Sequence, residues 1–280
     1  MAFSSSTSSS SASPAVESFL KKSIVQQALE REGDQHTPRT VLGFFYGVDI
    51  DDASEVEHQL AQGHALEELS PLWFGGGTVY DHACTTFKEA VRLAGTRQLT
   101  SSEWNDTVHG LMAQLILCDQ LSRNAFRGEE EAFAYDEAAI EYATRLSQHV
   151  LQSCKNEGST TNSNGAASSE ANHEQALLLE GTVHPPFISN IITCLMHSEN
   201  IQHHNDALAL LNVARSLSPE SCQSWWDNQE AFELEHKHVL DRFGRYPHRN
   251  SLKGRTNTPE EDTWLANEDE LPGWAKSQIK

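Results

Sequence analysis

The chain has 280 residues, with 20 lysines and arginines against 40 aspartates and glutamates, a formal net charge of −20. A balance so acidic argues against a general affinity for nucleic acid or for an anionic membrane surface. No apolar run approaches the ~20 residues of a membrane-spanning helix.

The opening residues, 1–16, are serine-rich and carry no apolar stretch of the kind a secretory signal needs. They read as a disordered tail. Arginine is absent from them, which sets them apart from an organelle transit peptide, although their serine content leaves import open. The rest of the chain reads as helices. The first fall near 16–32, 54–69 and 80–94. The apolar run Val41-Leu42-Gly43-Phe44-Phe45-Tyr46-Gly47 could be a strand, but no neighbouring segment offers it a partner. A helix over 103–122 carries Leu111-Met112-Ala113-Gln114-Leu115-Ile116-Leu117-Cys118, apolar on nearly every side, so it is expected at the centre of the fold.

The spacing of Ala132, Phe133, Ala139, Ile140, Ala143, Leu146 and Val150 predicts a further helix over 129–151. Residues 155–175 are rich in serine, asparagine and glycine and read as a flexible insertion. Pro185-Pro186 suits a helix start, and the helix it opens is expected to run through Leu211. Another spans 219–243 on a stripe of Trp225, Phe232, Val239 and Phe243. Thr258-Pro259-Glu260-Glu261 is a capping box with proline in the first helical position. The fold class is therefore all-α: an array of antiparallel helical hairpins over 17–267, a disordered N-terminal tail, and a C-terminal tail over 268–280. No clean 34-residue repeat can be read from the spacing.

Five cysteines without a CxxC pair point to a reducing compartment, and the cytoplasm is the default setting. Among fourteen histidines no HExxH occurs, so neither a metal nor a cofactor is expected.

The informative residues are polar ones where a core should be. Asp119, Gln120, Arg123, Asn124 and Arg127 follow directly on the apolar helix. Asp119 and Arg123 are four apart and can pair. Arg123 and Arg127 share that spacing with like charge and need an anion between them. Asp136 lies on the stripe between Ala132 and Ala139, so it is expected to point inward and to be paired. His197 and Glu199 follow another apolar run, and His236 lies on the stripe between Phe232 and Val239. The segment from Arg242 to Arg255 holds five lysines or arginines and no acid, with Arg245, His248, Arg249 and Asn250 inside it. Glycine and proline make it a loop, and arginine forks suit a carboxylate or phosphate.

These motifs occur in a familiar order. Leu117-Cys118-Asp119-Gln120-Leu121-Ser122-Arg123-Asn124 and Arg127-Gly128 come first, then Ala132-Phe133-Ala134-Tyr135-Asp136 and Met196-His197-Ser198-Glu199. Arg242-Phe243-Gly244-Arg245-Tyr246-Pro247-His248-Arg249-Asn250, Gly254-Arg255 and the Thr258 capping box follow. The sequence resembles the domain of unknown function 924 family over roughly 40–267, with Phe44-Phe45-Tyr46-Gly47, Trp73-Phe74 and Asp81 as further matches. It departs from that pattern at Leu121-Ser122 and at Thr193-Cys194-Leu195, positions where the family carries proline. The resemblance implies a tetratricopeptide-like helical fold and no established reaction.

Two functional readings result. In the first, Asp119, Gln120, Arg123, Asn124, Arg127, Asp136, Arg242, Arg245, His248, Arg249, Asn250 and Arg255 line one hollow that binds a small anionic molecule or a peptide carboxylate. In the second, the protein is a hydrolase of a phosphate or carboxylate ester. His197 or His236 is then the general base, oriented by Glu199 or Asp119, although no nucleophile motif is present. The plainer alternative is that the same charges pair among themselves and only fix helix packing.

Overall fold

A computed structural model describes residues 13–75, 77–159, 179–251, 253–267 and 269–276. Their regular structure is helical, apart from one isolated parallel bridge between Thr107 and Glu180. The expected insertion lies mostly outside the described residues, as do residues 1–12 of the expected N-terminal tail. Residues 14–16 begin α1 (Pro14–Leu20), capped by the Ser13 hydroxyl, and Val16 is buried in the core.

The apolar run that could be a strand is a helix. After α2 (Ser23–Leu29) comes α3 (Pro38–Tyr46), opened by a capping box between Thr37 and Thr40 and closed by Gly47 at φ 61°. Its apolar residues are buried on every side, so the segment lacks the one-sided period that separates helix from strand. The start signals, Thr37 and Pro38, are what decide it. Next come α4 (Ala53–Glu55), which runs into a wide π-type turn at Val56–Ala61, then α5 (His64–Gly75), α6 (Gly77–Cys84) and α7 (Lys88–Gly95).

The central helix expected over 103–122 is split. α8 (Ser102–Asn105) stops, and Thr107 caps a new start by accepting a hydrogen bond from the Gly110 amide. From there α9 (Val108–Leu115), a π-type turn at Ile116–Leu121 and α10 (Ser122–Ala125) form one rod. Residues 110–119 of it are all buried. The next helix, expected from residue 129, begins later. Glu130–Phe133 is a 3-10 turn, and α11 (Asp136–Ser159) starts at Asp136 itself. Phe133, assigned to the inward stripe, is instead exposed.

Pro185 opens α12 (Pro185–Met196) as expected, but the helix ends at Met196. Asn200, through its amide oxygen, caps a separate α13 (Ile201–Leu217). α14 (Gln223–Phe243) terminates at Gly244, at φ 68°. Its buried face is Trp226, Gln229, Glu233, His236, Val239 and Leu240; Val239 of the expected stripe is thus buried, while Phe232 lies 56 % exposed. The capping box at Thr258 opens α15 (Pro259–Ala266) as read from the sequence. α16 (Gly273–Lys276) lies within the segment expected as a tail.

α9 packs on α3 and α11, and α11, α12, α13 and α14 pack on one another in sequence order. A second, small cluster joins Val239 and Leu240 of α14 to Tyr246, Trp264, Leu271 and Ala275. No helix among the described residues is long and apolar enough to cross a membrane.

The crossing of α8 over α9 depends on Gly110. A Cβ there would lie 2.1 Å from the Glu103 carbonyl oxygen and 2.5 Å from that of Trp104. Backbone cannot step aside as a side group can. Gly110→Ala is expected to cost about 3 kcal/mol, at the upper end of overpacking effects, read as a fall in the urea midpoint. A midpoint equal to that of the unaltered protein would show that α8 is free to shift.

Candidate functional site

The polar centre is built around Asp119. It sits in the π-type turn of the central rod, with a side chain 2 % exposed. A desolvated carboxylate must be met by donors or cations. The Gln120 amide donates to its Oδ2. Arg123, one turn on, brings a guanidinium nitrogen to 3.6 Å from Oδ1, and His197 Nδ1 lies 3.3 Å from the same oxygen. Burial, the largest influence on Asp119, pushes its pKa up. The His197 hydrogen bond and the charges of His197 and Arg123 outweigh it and hold the carboxyl below its ordinary value.

Arg123 reaches past Asp119. It donates to the Ala132 carbonyl at 2.6 Å and meets Asp136, the first residue of α11, at 2.6 Å. One guanidinium thus serves two acids. His197 is the residue that ends α12, and its carbonyl accepts a 2.7 Å hydrogen bond from Arg249. Arg249 ends the 3-10 turn Pro247–Arg249 and lies half-buried over the Tyr246 ring, 4.8 Å from its centroid. Burial, the largest influence, and the charge of Arg123 lower its pKa, while Tyr246, Asp136 and Glu199 act in the opposite sense. Among the described residues no carboxylate lies within ion-pair distance of it.

The other cations of the basic loop are occupied. Arg245 binds both oxygens of Glu261 at 2.6 and 2.8 Å. Arg255 binds both oxygens of Glu199 at 2.6 and 2.9 Å, and Lys253 approaches the same acid at 3.5 Å. Arg242 meets Glu260 and Glu270 at the surface. Arg127 donates from Nε and Nη2 to the two oxygens of Asp81 and also donates to Asn124, which ties α10 to α6. Asn250 donates to Asn257 and Glu261. The single hollow expected for all these groups is divided: Asp119, Gln120, Arg123, Asp136, His197 and Arg249 form the centre, and the rest brace the elements around it.

Two residues expected to act as base or orienting acid have other work. Glu199 makes no hydrogen bond to the His197 ring. It holds Arg255 and accepts the Tyr246 amide at 3.2 Å. Burial would raise its pKa, but Arg255, Lys253 and that amide bring it down to about 2. His236 is buried, stacked on Trp274 at 3.9 Å between ring centres, with Nδ1 2.8 Å from the Phe232 carbonyl. Burial pushes its pKa down to about 3, so it is a neutral core imidazole. His248 is likewise buried, packed between Tyr246 and Trp274.

One pair does not stand out in the sequence. His204 and Glu233 are both fully buried and bonded to each other, and His204 Nε2 lies 2.9 Å from the Ser198 carbonyl. Burial raises the Glu233 pKa, and contact with Glu233 overcomes burial to raise that of His204. A signal exists nonetheless: Trp226, Gln229, Glu233, His236 and Leu240 fall at helical spacing. A stripe drawn through Trp225 and Phe232 is one residue out of phase and hides Glu233.

Two cavities lie elsewhere. One of about 560 Å³ is lined by Lys22, Gly47, Asp49, Asp52 and His58, and one of about 370 Å³ by Glu235, Arg242, Trp264 and Glu270. The Asp119 centre lines neither. It opens instead through the groups at its rim, with His197 32 % and Asp136 41 % exposed. Among the described residues no group of three or more His, Cys, Asp or Glu is placed to hold a metal ion.

Fold and centre together define an all-helical protein with a desolvated aspartate shared by an imidazole and an arginine. The chain belongs to the bacterial family of proteins of unknown function, domain of unknown function 924 (DUF924), which it matches over residues 41–269. Among solved structures it is similar to a protein of unknown function, ATU0120 from Agrobacterium tumefaciens. The two are 23 % identical over 71 % of this chain and 92 % of that one, with a TM-score of 0.45. No curated protein matches.

The carboxylates that brace the basic loop set an acid limit. Arg245, the largest influence, holds Glu261 at about 2, as Glu199 is held at about 2. A depressed carboxyl stabilises the fold above its unfolded value of 4.5, and that stability is lost as pH falls toward about 2. The urea midpoint is therefore expected to drop between pH 5 and pH 3. Glu199→Gln should lower it at pH 7 and flatten the drop. A variant curve parallel to that of the unaltered protein at every pH would remove Glu199 from this role.

Proposed function

We propose that the protein binds a small anionic ligand at the Asp119 centre, with Arg249 as the principal contact. The observation that carries this is the set of partners Arg249 has. It is half-buried and desolvated enough for its pKa to fall, yet it holds one backbone carbonyl and no ion pair among the described residues. A cation taken out of water without a counter-charge is costly, and a guanidinium presents a fork suited to a carboxylate or phosphate. The His197 carbonyl touches it, and Arg123 lies near enough for its charge to act on it. A peptide C-terminus offers the same chemistry as a free carboxylate.

The tetratricopeptide-like arrangement that the resemblance implies is supported by the succession of α11, α12, α13 and α14, each packed on the next. Cytoplasmic residence is supported by the cysteines, all of them free thiols.

A second reading has an observation of its own. Asp119 beside His197 Nδ1 is the arrangement that orients an imidazole as general base, leaving Nε2 for a substrate or a water. Arg249 and Arg123 would then stabilise negative charge developing on an ester. Assays with nitrophenyl esters and nitrophenyl phosphate address it: turnover that vanishes in His197→Ala supports it, and turnover unchanged in that variant excludes this base.

For the binding reading, isothermal titration with acetate and with inorganic phosphate is expected to show saturable binding of at least one of them. Arg249→Ala should weaken it about tenfold or more, the scale of a lost charge-assisted hydrogen bond. Binding undiminished in Arg249→Ala, or no binding of either anion to the unaltered protein, would overturn the proposal.

A further inference from the structure

An aromatic ring left open to solvent stands at the edge of the same centre. Phe133 closes the 3-10 turn Glu130–Phe133 and is 61 % exposed. One of its faces is already used: the Arg123 guanidinium lies over it, 4.5 Å from the ring centroid. That guanidinium is the one held by Asp119 and Asp136. Phe133 is therefore linked to Arg249 by a short series of contacts, from Arg123 to Asp119, to His197, and from the His197 carbonyl to Arg249.

Charge decides which anion fits. Asp119 and Asp136 both fall to Arg123, so Arg249 is the cation of the centre left with no acid of its own. With Asp119 and Asp136 the two arginines already sum to zero, so a monoanion paired with Arg249 leaves one surplus negative charge and a dianion leaves two. A phosphate dianion would bring a second charge toward Asp136, whose carboxylate is 41 % exposed at the rim, and like charges at close range repel. The uncovered phenyl ring favours an occupant with an apolar, planar part, because a ring packed offset or edge-on against Phe133 gains more than its buried area alone. The Arg123 guanidinium on the other face polarises the stack without needing to move.

We infer that the centre accepts a monocarboxylate carrying a planar apolar tail, with the carboxylate on Arg249 and the tail against Phe133. This rests on the anion-binding reading above. It adds a preference for one charge over two and a role for a residue that the anion alone would not touch.

The test is isothermal titration with acetate, benzoate, 3-phenylpropionate, 5-phenylpentanoate and phenyl phosphate. At least one phenyl-bearing carboxylate is expected to bind about tenfold more tightly than acetate, and more tightly than phenyl phosphate. Phe133→Ala removes a ring that is mostly exposed, so the variant is expected to stay folded, with an unchanged circular dichroism spectrum. In it the gain over acetate should vanish while acetate binds as before. Phenyl-bearing carboxylates no tighter than acetate, a gain that survives Phe133→Ala, or a preference for phenyl phosphate would each overturn the inference and leave the anion reading standing. Failure of every anion to bind the unaltered protein would overturn both. N-acetylphenylalanine separates two sources of the same chemistry: binding as tight as 3-phenylpropionate supports the inference with a peptide C-terminus as ligand, and weaker binding supports it with a free acid.

Discussion

A carboxylate kept from water organises the middle of this fold. Asp119 lies within a rod whose residues 110–119 are all buried. The energy of taking an ionised acid out of water exceeds that of most single packing contacts, so its partners are not optional. One comes from the next turn of the same rod, Arg123. The Gln120 amide is another, and His197 comes from the end of α12. Arg123 in turn needs more than one acid can give, and Asp136 meets it from the first residue of α11. Three helices are thereby fixed by charge as well as by apolar packing. α12 stops at Met196 although its sequence reads as continuous, and the residue that ends it turns its ring to Asp119 and its carbonyl to Arg249.

The basic loop is held by the same short connection. Tyr246 donates its hydroxyl to the Met196 carbonyl, Arg249 donates to the His197 carbonyl, and Arg255 grips Glu199. With the Tyr246 amide and Lys253 also on Glu199, residues 196, 197 and 199 are each tied to the segment 246–255. Taken one at a time, exposed ion pairs such as those of Arg242 contribute little. The pairs at Glu199 and Glu261 differ because the acids are largely covered and each takes several donors. Glu261 also completes the capping box of α15. The last helices are therefore anchored to the loop through one carboxylate that serves both a helix end and an arginine.

What is legible in the sequence follows from the range of the forces involved. Local signals are readable: Thr258 and Pro259 at a helix start, Pro185 at another, Asp119 and Arg123 four residues apart. Signals that need an outside are not. Apart from Arg39, α3 has no exposed face to give it a period, and the phase of α14 is ambiguous by one residue because Trp225 and Phe232 are spaced as Trp226 and Glu233 are, with Val239 and Leu240 both buried. The charged residues are recognisable, but their pairing is not. Arg127 takes Asp81 across 46 residues, and His197 takes Asp119 across 78. Spacing carries no information at that distance. Asp136, expected to point inward from mid-helix, starts its helix and sits at the rim, because the turn of Glu130–Phe133 has no visible break in the sequence.

In a protein with twice as many acids as bases, an arginine at the surface finds a carboxylate easily. Arg39, Arg92, Arg97, Arg127, Arg215, Arg242, Arg245 and Arg255 all do. Pairing in such a protein is the default and says little about function. Among the described residues Arg31, Arg145 and Arg249 form no ion pair. Arg31 is exposed and Arg145 is tied to the Asn105 carbonyl away from the polar centre, so Arg249, beside His197, is the informative one. Arg249 is placed by a proline-led turn, laid on a tyrosine ring and tied to one carbonyl, three restraints that hold a guanidinium still without neutralising it. Restraint lowers the entropy lost when a partner arrives, and the absence of a direct ion pair among the described residues leaves charge-assisted hydrogen bonds to be gained by an incoming anion. Together these distinguish a guanidinium poised for a ligand from one that merely fastens two helices, a distinction that an acidic sequence makes sharper than a neutral one would.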